Sequence, residues 1–239
     1  MIQASPQLKR VALALTIALT AGVLAATTAM AQSQQMTDKL IAIKTAQDAN
    51  KAKLAQYTWT ELETISIKGD VKDTKTYQVS MVNGKAQKTL VNDQKASSGG
   101  GREGRVKERV VDKKKAEFQE YGQSISALAK QYTTPNPEAL MAAKQAGNIS
   151  LVPGSGTVSL VIKNYVKQGD SVTMNISEQT HSPQSIQVNS YLDDPKDAVT
   201  ISAQFAKLPD GTNHVATTTI NGVSKQLTVT DQNSNYQKQ

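Results

Sequence analysis

The sequence predicts an α+β protein in which a curved antiparallel sheet of about ten strands, an incomplete barrel, carries one N-terminal helix and two mid-chain helices on one side. Three observations predict this fold. Apolar and polar residues alternate with period two in many short segments, turn residues separate those segments, and only three segments have the spacing of an amphipathic helix. A sheet this long with so few helices must curl, and the helices can cover only one of its sides.

The first 31 residues have the pattern of a cleaved signal peptide. A positively charged start precedes an uncharged apolar stretch, residues 11–26, and the small residues Ala29 and Ala31 follow it. That stretch is shorter than the roughly 20 residues that span a bilayer. We therefore expect a mature protein that begins near Gln32, is periplasmic or secreted, and forms a single α+β domain over residues 32–230.

Cysteine usage and charge narrow the classes of function. The chain has no cysteine, which excludes disulfides, thiol catalysis, thiolate metal sites and lipid attachment through a cysteine. The net charge of +7 becomes +5 when the two basic residues of the signal are removed, and most of that excess lies between Arg102 and Lys115. No aromatic side chains are interleaved there on which bases could stack, so we expect no nucleic-acid partner.

The first elements are a helix and a strand meander. Residues 37–56 have the spacing of an amphipathic helix. Alternation then begins at Tyr57 and Trp59 and is repeated around Tyr77, as expected of strands with one buried face. Asn83-Gly84 between two alternating runs predicts a hairpin, because both turn residues tolerate positive φ.

The middle of the chain predicts a loop and two helices. Residues 92–105 are rich in glycine and charge and read as a flexible basic loop. Apolar residues at spacings of three and four then predict a long helix over residues 106–132 with its basic first turns in water. Asn136 as N-cap, Pro137 at the first helical position and Gly147 as the stop signal predict a shorter second helix.

The rest of the chain predicts about seven further strands. Turn residues such as Pro153-Gly154, Gly169-Asp170 and Asn221-Gly222 separate the alternating runs. Residues 231–239, with little apolar content, are expected to form a disordered tail.

This order of elements, with Tyr57-Thr58-Trp59 at the start of the first strand, resembles the periplasmic lipoprotein-carrier fold of outer-membrane lipoprotein sorting. The same fold occurs in envelope sensor domains that bind anti-sigma factors. The resemblance covers roughly residues 37–230, rests on element order and compartment, and transfers no functional residue. It implies a sheet closed on its concave side by helices around an apolar cavity that binds lipid or acyl chains.

Two groups of residues are candidate sites. Aromatic and apolar residues of the first strands and of the long helix are candidates for ligand binding: Tyr57, Trp59, Tyr77, Phe118, Tyr121 and Ile125. Basic residues of the loop and the helix start are candidates for contact with an anionic membrane surface: Arg102, Arg105, Lys107, Arg109, Lys113, Lys114 and Lys115. Their positive charge opposes the helix dipole at this end, so helix stability does not explain it; solubility remains the alternative.

Other polar residues have a catalytic or a structural interpretation. Glu61 and Glu63 share a face and could serve as the carboxylate pair of a glycosidase, but we expect them to be solvated. His181 and His214 lie in or beside turns without metal-ligand spacing, and we expect both at the surface. The acidic run at residues 193–197 could bind calcium, yet aspartate before proline is sufficient to start a turn.

We therefore expect no catalytic residues, cofactor or metal. The favoured function is binding of an apolar or amphipathic ligand, a lipid or acyl chain, between the sheet and the helices of an envelope protein. The alternative is an envelope protein–protein or surface interaction module that uses exposed sheet edges or the basic segment 102–115. A hydrolase is the third and least favoured class. An apolar cavity of several hundred cubic ångströms under the long helix would favour the first, and a packed interior the second.

Overall fold

The structure is a computed structural model that describes residues 37–83, 85–95, 105–133 and 136–239, without the side chains of Lys95, residues 105–115 and Pro137. The chain divides into two compact units, Met1–Thr45 and Ala46–Gln239. Helix α1, residues 37–54, begins in the first unit and ends in the second. The second unit contains the ten strands and the other two helices that the structure describes.

Ten strands form a single antiparallel sheet. In chain order they are β1 Tyr57–Ile67, β2 Asp70–Val82, β3 Lys85–Lys95, β4 Ile149–Pro153, β5 Thr157–Lys163, β6 Ser171–Ser177, β7 Pro183–Tyr191, β8 Ala198–Lys207, β9 Asn213–Gly222 and β10 Leu227–Lys238.

The order of strands in the sheet is β3-β2-β1-β10-β9-β8-β7-β6-β5-β4. Adjacent strands of the sheet are consecutive in sequence except at one place, where the first strand pairs with the last. There Ile67 lies opposite Leu227 and Glu61 opposite Asn233. The edges β3 and β4 do not pair with each other, so the sheet is unclosed. The predicted α+β fold with a ten-stranded incomplete barrel is confirmed.

The two mid-chain helices are α2, Arg105–Thr133, and α3, Pro137–Gln145. Both agree with the prediction to within a residue or two. Asn136 caps α3 as expected, since its side-chain oxygen accepts a hydrogen bond from the Ala139 amide at 3.1 Å. Gly147 follows with φ +71°, a conformation that glycine adopts without steric cost.

The second half of α2 packs against one face of the sheet, called here the helix-side face. Ile125 is fully buried, and Tyr121 is buried against Gly222 of β9, where a Cβ would stand 2.5 Å from the tyrosine ring. Gly122 is close to the side chain of Leu227 on β10. Glycine at position 222 therefore allows the helix to approach the sheet closely, whereas a Cβ at position 122 would make only an ordinary contact with Leu227.

The opposite face of the sheet is polar, as the alternating pattern predicts. Hydroxyl and amide side chains form hydrogen bonds across neighbouring strands there. Asn175 of β6 contacts Ser159 of β5 at 2.6 Å and Ser185 of β7 at 2.9 Å, and Thr228 of β10 donates to Asn221 of β9 at 2.9 Å.

Two boundaries differ from the prediction. Residues 92–95, expected in a loop, continue β3 and pair with Asp73 to Thr76 of β2; the rest of the expected loop, 96–104, lies outside the described residues. Residues 231–239 were expected to be disordered, but β10 extends to Lys238 and pairs with β1 along its length. Backbone pairing with a distant strand orders a segment whose own composition has no strong strand signal.

Among the described helices, none combines the length and the apolar character that a membrane crossing requires.

Candidate functional site

The side chains on the helix-side face change from apolar to charged across the sheet. Residues that lie opposite each other in antiparallel strands point to the same face, so the register identifies its members. Under α2 they are apolar, as at Val199, Ile201 and Ile220. Toward β10, β1, β2 and β3 the same face becomes charged. Asp231 is two residues after Val229 on β10 and therefore points to the same face, and Glu63 of β1 lies opposite Asp231.

Six ionisable side chains form what we call the carboxylate–lysine cluster. They are Glu61, Glu63, Asp73, Lys75, Lys88 and Asp231. All lie on strands β1, β2, β3 and β10, and four carboxylates share two ammonium groups.

Ion pairs within the cluster link side chains of β1, β2 and β3. Lys75 of β2 lies 3.4 Å from Glu63 and 3.2 Å from Asp73. Lys88 of β3 donates a hydrogen bond to Glu61, whose side chain is only 7% exposed. Burial alone would lower the pKa of Lys88, but the hydrogen bond and the charge of Glu61 outweigh it and raise that pKa.

Asp231 and Asp73 each have an enclosed carboxylate oxygen, Oδ1, that has no hydrogen-bond partner among the described residues. Burial, together with the neighbouring charges of Glu61 and Glu63, raises the pKa of Asp231 to about 6, although Lys88 opposes the shift. Strongly shifted ionisable groups cluster at functional sites more often than elsewhere, so this region is the candidate site.

An aromatic group borders the cluster at the end of the sheet where β1 begins. The ring of Tyr236 on β10 stacks on Trp59 at 5.4 Å between centroids and lies 4.2 Å from the ring of His214. Tyr57 contacts Tyr236 edge to face at 6.5 Å. The Trp59 ring nitrogen donates to the side-chain oxygen of Asn233 at 3.1 Å. These contacts hold the C-terminal part of β10 in place.

Apolar surface continues onto β3 beside the charged groups. Leu90 lies opposite Tyr77, and Tyr77 lies opposite Glu61, so the three form one row across β3, β2 and β1. Leu90 is 51% exposed. In the next row Lys88 lies opposite the fully buried Val79. This part of the face therefore presents apolar and charged groups side by side.

The structure places five of the six predicted ligand-binding residues in two regions. Tyr57, Trp59 and Tyr77 lie at the carboxylate–lysine cluster or its aromatic border. Tyr121 and Ile125 fill the interface between α2 and the sheet, and the hydroxyl of Tyr121 donates to Asp197 at 2.8 Å.

Phe118 is half-buried, with the Lys225 ammonium 6.0 Å from its ring centroid.

Of the cavities in the described residues, one of about 290 Å³ lies between α1 and the turns before β7 and β9, and another of about 340 Å³ lies at the β1–β2 and β9–β10 turns. Neither is the apolar space under the long helix that the resemblance implies.

The predicted anionic-surface residues are only partly within the described part of the chain. Arg102 lies outside it. The others lie in the first three turns of α2, where the backbone is helical and the side chains are not described: Arg105, Lys107, Arg109, Lys113, Lys114 and Lys115.

Three expectations about polar residues are wrong, those for Glu61, Glu63 and His214. Glu61 is buried and ion-paired rather than solvated, and Glu63 is paired with Lys75, because β1 lies inside the sheet with a strand on each side. His214 is buried at 7% exposure by its contact with Tyr236. His181 is half-buried, in a turn with φ +52°.

The acidic run at residues 193–197 forms a turn, as its aspartate–proline step predicts. The Asp194 carboxylate accepts a hydrogen bond from the Lys196 amide at 2.8 Å, and Asp197 accepts from Ser224 and Tyr121. Within the described residues, no three histidine, aspartate or glutamate side chains are arranged to hold a metal ion.

Acid–base catalysis finds little support in the geometry of the cluster. A glycosidase needs one protonated and one ionised carboxyl group facing the substrate, yet Glu61 and Glu63 are each engaged by a lysine. Asp231 has the raised pKa of a general acid, but its Oδ1 is enclosed.

Sequence reasoning missed Asp73, Lys75, Lys88 and Asp231. A signal for Asp231 was present, since it stands two residues after Val229 and four after Leu227, in the same alternating register.

No protein-family model matches the chain, and no curated protein matches it. Solved structures similar to it include a putative outer membrane lipoprotein-sorting protein domain from Vibrio parahaemolyticus, at 9% identity and a TM-score of 0.41, over 82% of this chain and 91% of that one. A DUF1329 family protein from Desulfovibrio piger is similar at 9% identity and a TM-score of 0.40, over 83% and 92%. A LolA superfamily protein from Nitrosomonas europaea is similar at 8% identity and a TM-score of 0.35, over 78% and 87%.

Proposed function

We propose that this protein is an exported, non-catalytic envelope protein that binds an amphipathic ligand, a lipid or acyl chain with a polar group, on the helix-side face of β1, β2 and β3. The observation that carries the proposal is the row of Leu90, Tyr77 and Glu61 beside Lys88. Apolar and charged groups alternate there within one strand spacing, about 5 Å.

The packing of α2 favours the face of β1, β2 and β3 as the ligand site, rather than the interface between α2 and the sheet. The side chains of Tyr121, Ile125 and Leu128 are buried where the helix meets the sheet, so an acyl chain could enter only by displacing them. On β3, by contrast, Leu90 offers apolar surface without such displacement, since about half of its side chain is exposed.

The single tryptophan of the chain, Trp59, lies on the same face, one row from Tyr77, so its fluorescence reports on occupancy. Titration with a brominated fatty acid should quench Trp59, and Leu90→Glu should weaken binding at least about tenfold, since burying an unpaired charge against an acyl chain is costly. Val223→Glu is the matched control, because Val223 is exposed to a similar degree, 55%, in the β9–β10 turn. Quenching that is equally strong in both variants would contradict the proposed site.

The exported location has its own test. The intact mass of protein recovered from the periplasm or medium should correspond to a chain that begins at Gln32. A membrane-embedded product that retains residues 1–31 would contradict it.

A second candidate function is protein–protein interaction through strand addition at β3. Two observations favour it. The interface between α2 and the sheet is packed, with Ile125 and Leu128 buried, which is the outcome expected of an interaction protein. In addition, β3 is an edge of the sheet and exposes both Leu90 and Val91, the latter at a β-bulge. Native mass spectrometry of protein purified from its own periplasm separates the two functions. A bound lipid supports the first, whereas a bound protein without lipid supports the second.

A further inference from the structure

A cleft on the second unit lies between α1 and the turns that precede β7 and β9, away from the carboxylate–lysine cluster. Its volume is about 290 Å³. The residues that line it are Ala46, Ala49, Asn50, Lys53, Thr180, Ser182, Lys207, Gly211 and Asn213. This lining contains two lysines and no carboxylate.

The two lysines reach the cleft from different elements and have no carboxylate partner among the described residues. Lys53 belongs to α1, and Lys207 ends β8, with its ammonium 3.4 Å from the Thr180 hydroxyl. Asp210, in the adjacent turn, is the nearest carboxylate in sequence to the lining residue Gly211. It already accepts hydrogen bonds from the Tyr57 hydroxyl at 2.7 Å and the Thr212 amide at 2.9 Å.

Hydroxyl groups add neutral donors to the two charges. Thr180 and Ser182 are 2.6 Å apart and share one hydrogen bond. The Thr180 hydroxyl accepts a hydrogen bond from Lys207 and can donate its own proton to the Ser182 oxygen. The Ser182 hydroxyl can then donate to a group bound in the cleft.

The walls of the cleft are held together by paired amide groups. The Asn50 side chain accepts from the Asn213 amide at 2.7 Å and donates to the Asn213 carbonyl at 2.8 Å, which ties α1 to the start of β9. The Asn213 side chain donates to the Pro183 carbonyl at 3.0 Å, which ties β9 to the start of β7. Both asparagines are thus positioning residues, and the elements that carry the donors are fixed before a ligand arrives.

From this arrangement we infer that the cleft binds a phosphate group, held by the ammonium groups of Lys53 and Lys207 and by the hydroxyl of Ser182. Two positive charges and a hydroxyl donor match the charge and the acceptor oxygens of a phosphate. The phosphate can belong to a small soluble molecule or to a lipid headgroup, and this inference does not depend on the proposed ligand face.

Calorimetry at low ionic strength tests the site with three probes: inorganic phosphate, glycerol 3-phosphate, and vesicles of phosphatidylglycerol in phosphatidylcholine. The purified protein should bind at least one of them, and Lys53→Gln/Lys207→Gln should weaken that binding at least about tenfold, since each charged hydrogen bond lost is worth roughly a factor of ten. Lys163→Gln, which removes an exposed lysine of β5, should bind as the unchanged protein does. The melting temperature of each variant shows whether it is folded.

The three probes distinguish the sources of the phosphate. Lysine-dependent binding of the soluble probes identifies a small phosphate compound, and lysine-dependent binding of vesicles alone identifies a lipid headgroup. Binding that is absent for all three probes, or that falls equally in the Lys163 variant and in the double variant, overturns the inference.

Discussion

The carboxyl group of Asp231 lies on the helix-side face of β10, with Glu61, Glu63 and Lys88 as its charged neighbours. A carboxylate loses favourable hydration there, and two of its three charged neighbours repel it. Its pKa of about 6 lies above the ordinary value of 3.8. The folded protein therefore holds this proton over a pH range in which the unfolded chain has released it.

This difference predicts how Asp231 affects stability. The stability that the folded protein gains by holding this proton is fully present below the ordinary pKa of 3.8. It is lost as the pH rises through about 6, where the carboxyl group ionises in the folded protein. Asp231→Asn should therefore raise the free energy of unfolding at pH 7.5 by on the order of 1–3 kcal/mol, with little gain at pH 4. Urea denaturation at both pH values measures it.

Asp70→Asn is the control for this measurement, because Asp70 is exposed at the start of β2 and its ion pair with Lys72 is a surface pair. We expect it to change stability little at either pH. An Asp231→Asn variant that is no more stable than the unchanged protein at pH 7.5 would show that the carboxylate is not destabilising in the folded state.

At the scale of the element, α2 is held by a few side chains in its second half. Ile125 is fully buried, whereas Phe118, one turn before Tyr121, is half-buried. Ile125→Ala should lower the free energy of unfolding by about 2–5 kcal/mol, and Phe118→Ala should cost less, because the loss follows the buried volume removed. Thermal or urea unfolding of the two variants measures the difference.

The exposed residue Gln123 of α2 provides the matched control, since Gln123→Ala removes no buried group. A helix that is not docked on the sheet would give equal, small effects for Ile125→Ala and Gln123→Ala.

Strand β10 shows how far an element can be recognised from its own residues. Leu227 and Val229 alternate as a strand should, but the segment after Asp231 has only Tyr236 as a large apolar residue. Its order depends on β1, which supplies backbone pairing and the Trp59 ring. No local pattern contains that information, because the partner is more than 150 residues away.

For the whole molecule, the basic segment remains a prediction that surface binding can test. Replacing Arg102, Arg105, Lys107 and Arg109 by serine should leave the melting temperature nearly unchanged. It should also weaken binding to anionic vesicles at low salt, since each basic residue near such a surface contributes about 1 kcal/mol and salt screens the attraction. Vesicle co-sedimentation at low and high ionic strength measures this effect.

The matched control removes the same charge elsewhere, by serine replacement of the exposed residues Lys68, Lys144, Lys163 and Lys196. Equal losses of vesicle binding in both variants would assign the attraction to net charge rather than to the segment. If the unchanged protein does not bind anionic vesicles at low salt, the segment is only a solvated surface.

The sequence alone determined the element order, the turns and the direction in which most strand residues point. Asn136 capped its helix and Asn83 took a left-handed turn, because caps and turns depend on residues a few positions apart. Alternation assigned Tyr57 and Trp59 to the buried face for the same reason. The tertiary structure decided the pairing of β1 with β10, and with it the carboxylate–lysine cluster, the burial of His214 and the order of the C-terminal tail. Each of these depends on contacts between distant segments, and the free energy of a buried charge or ring is set by the neighbours that such contacts supply.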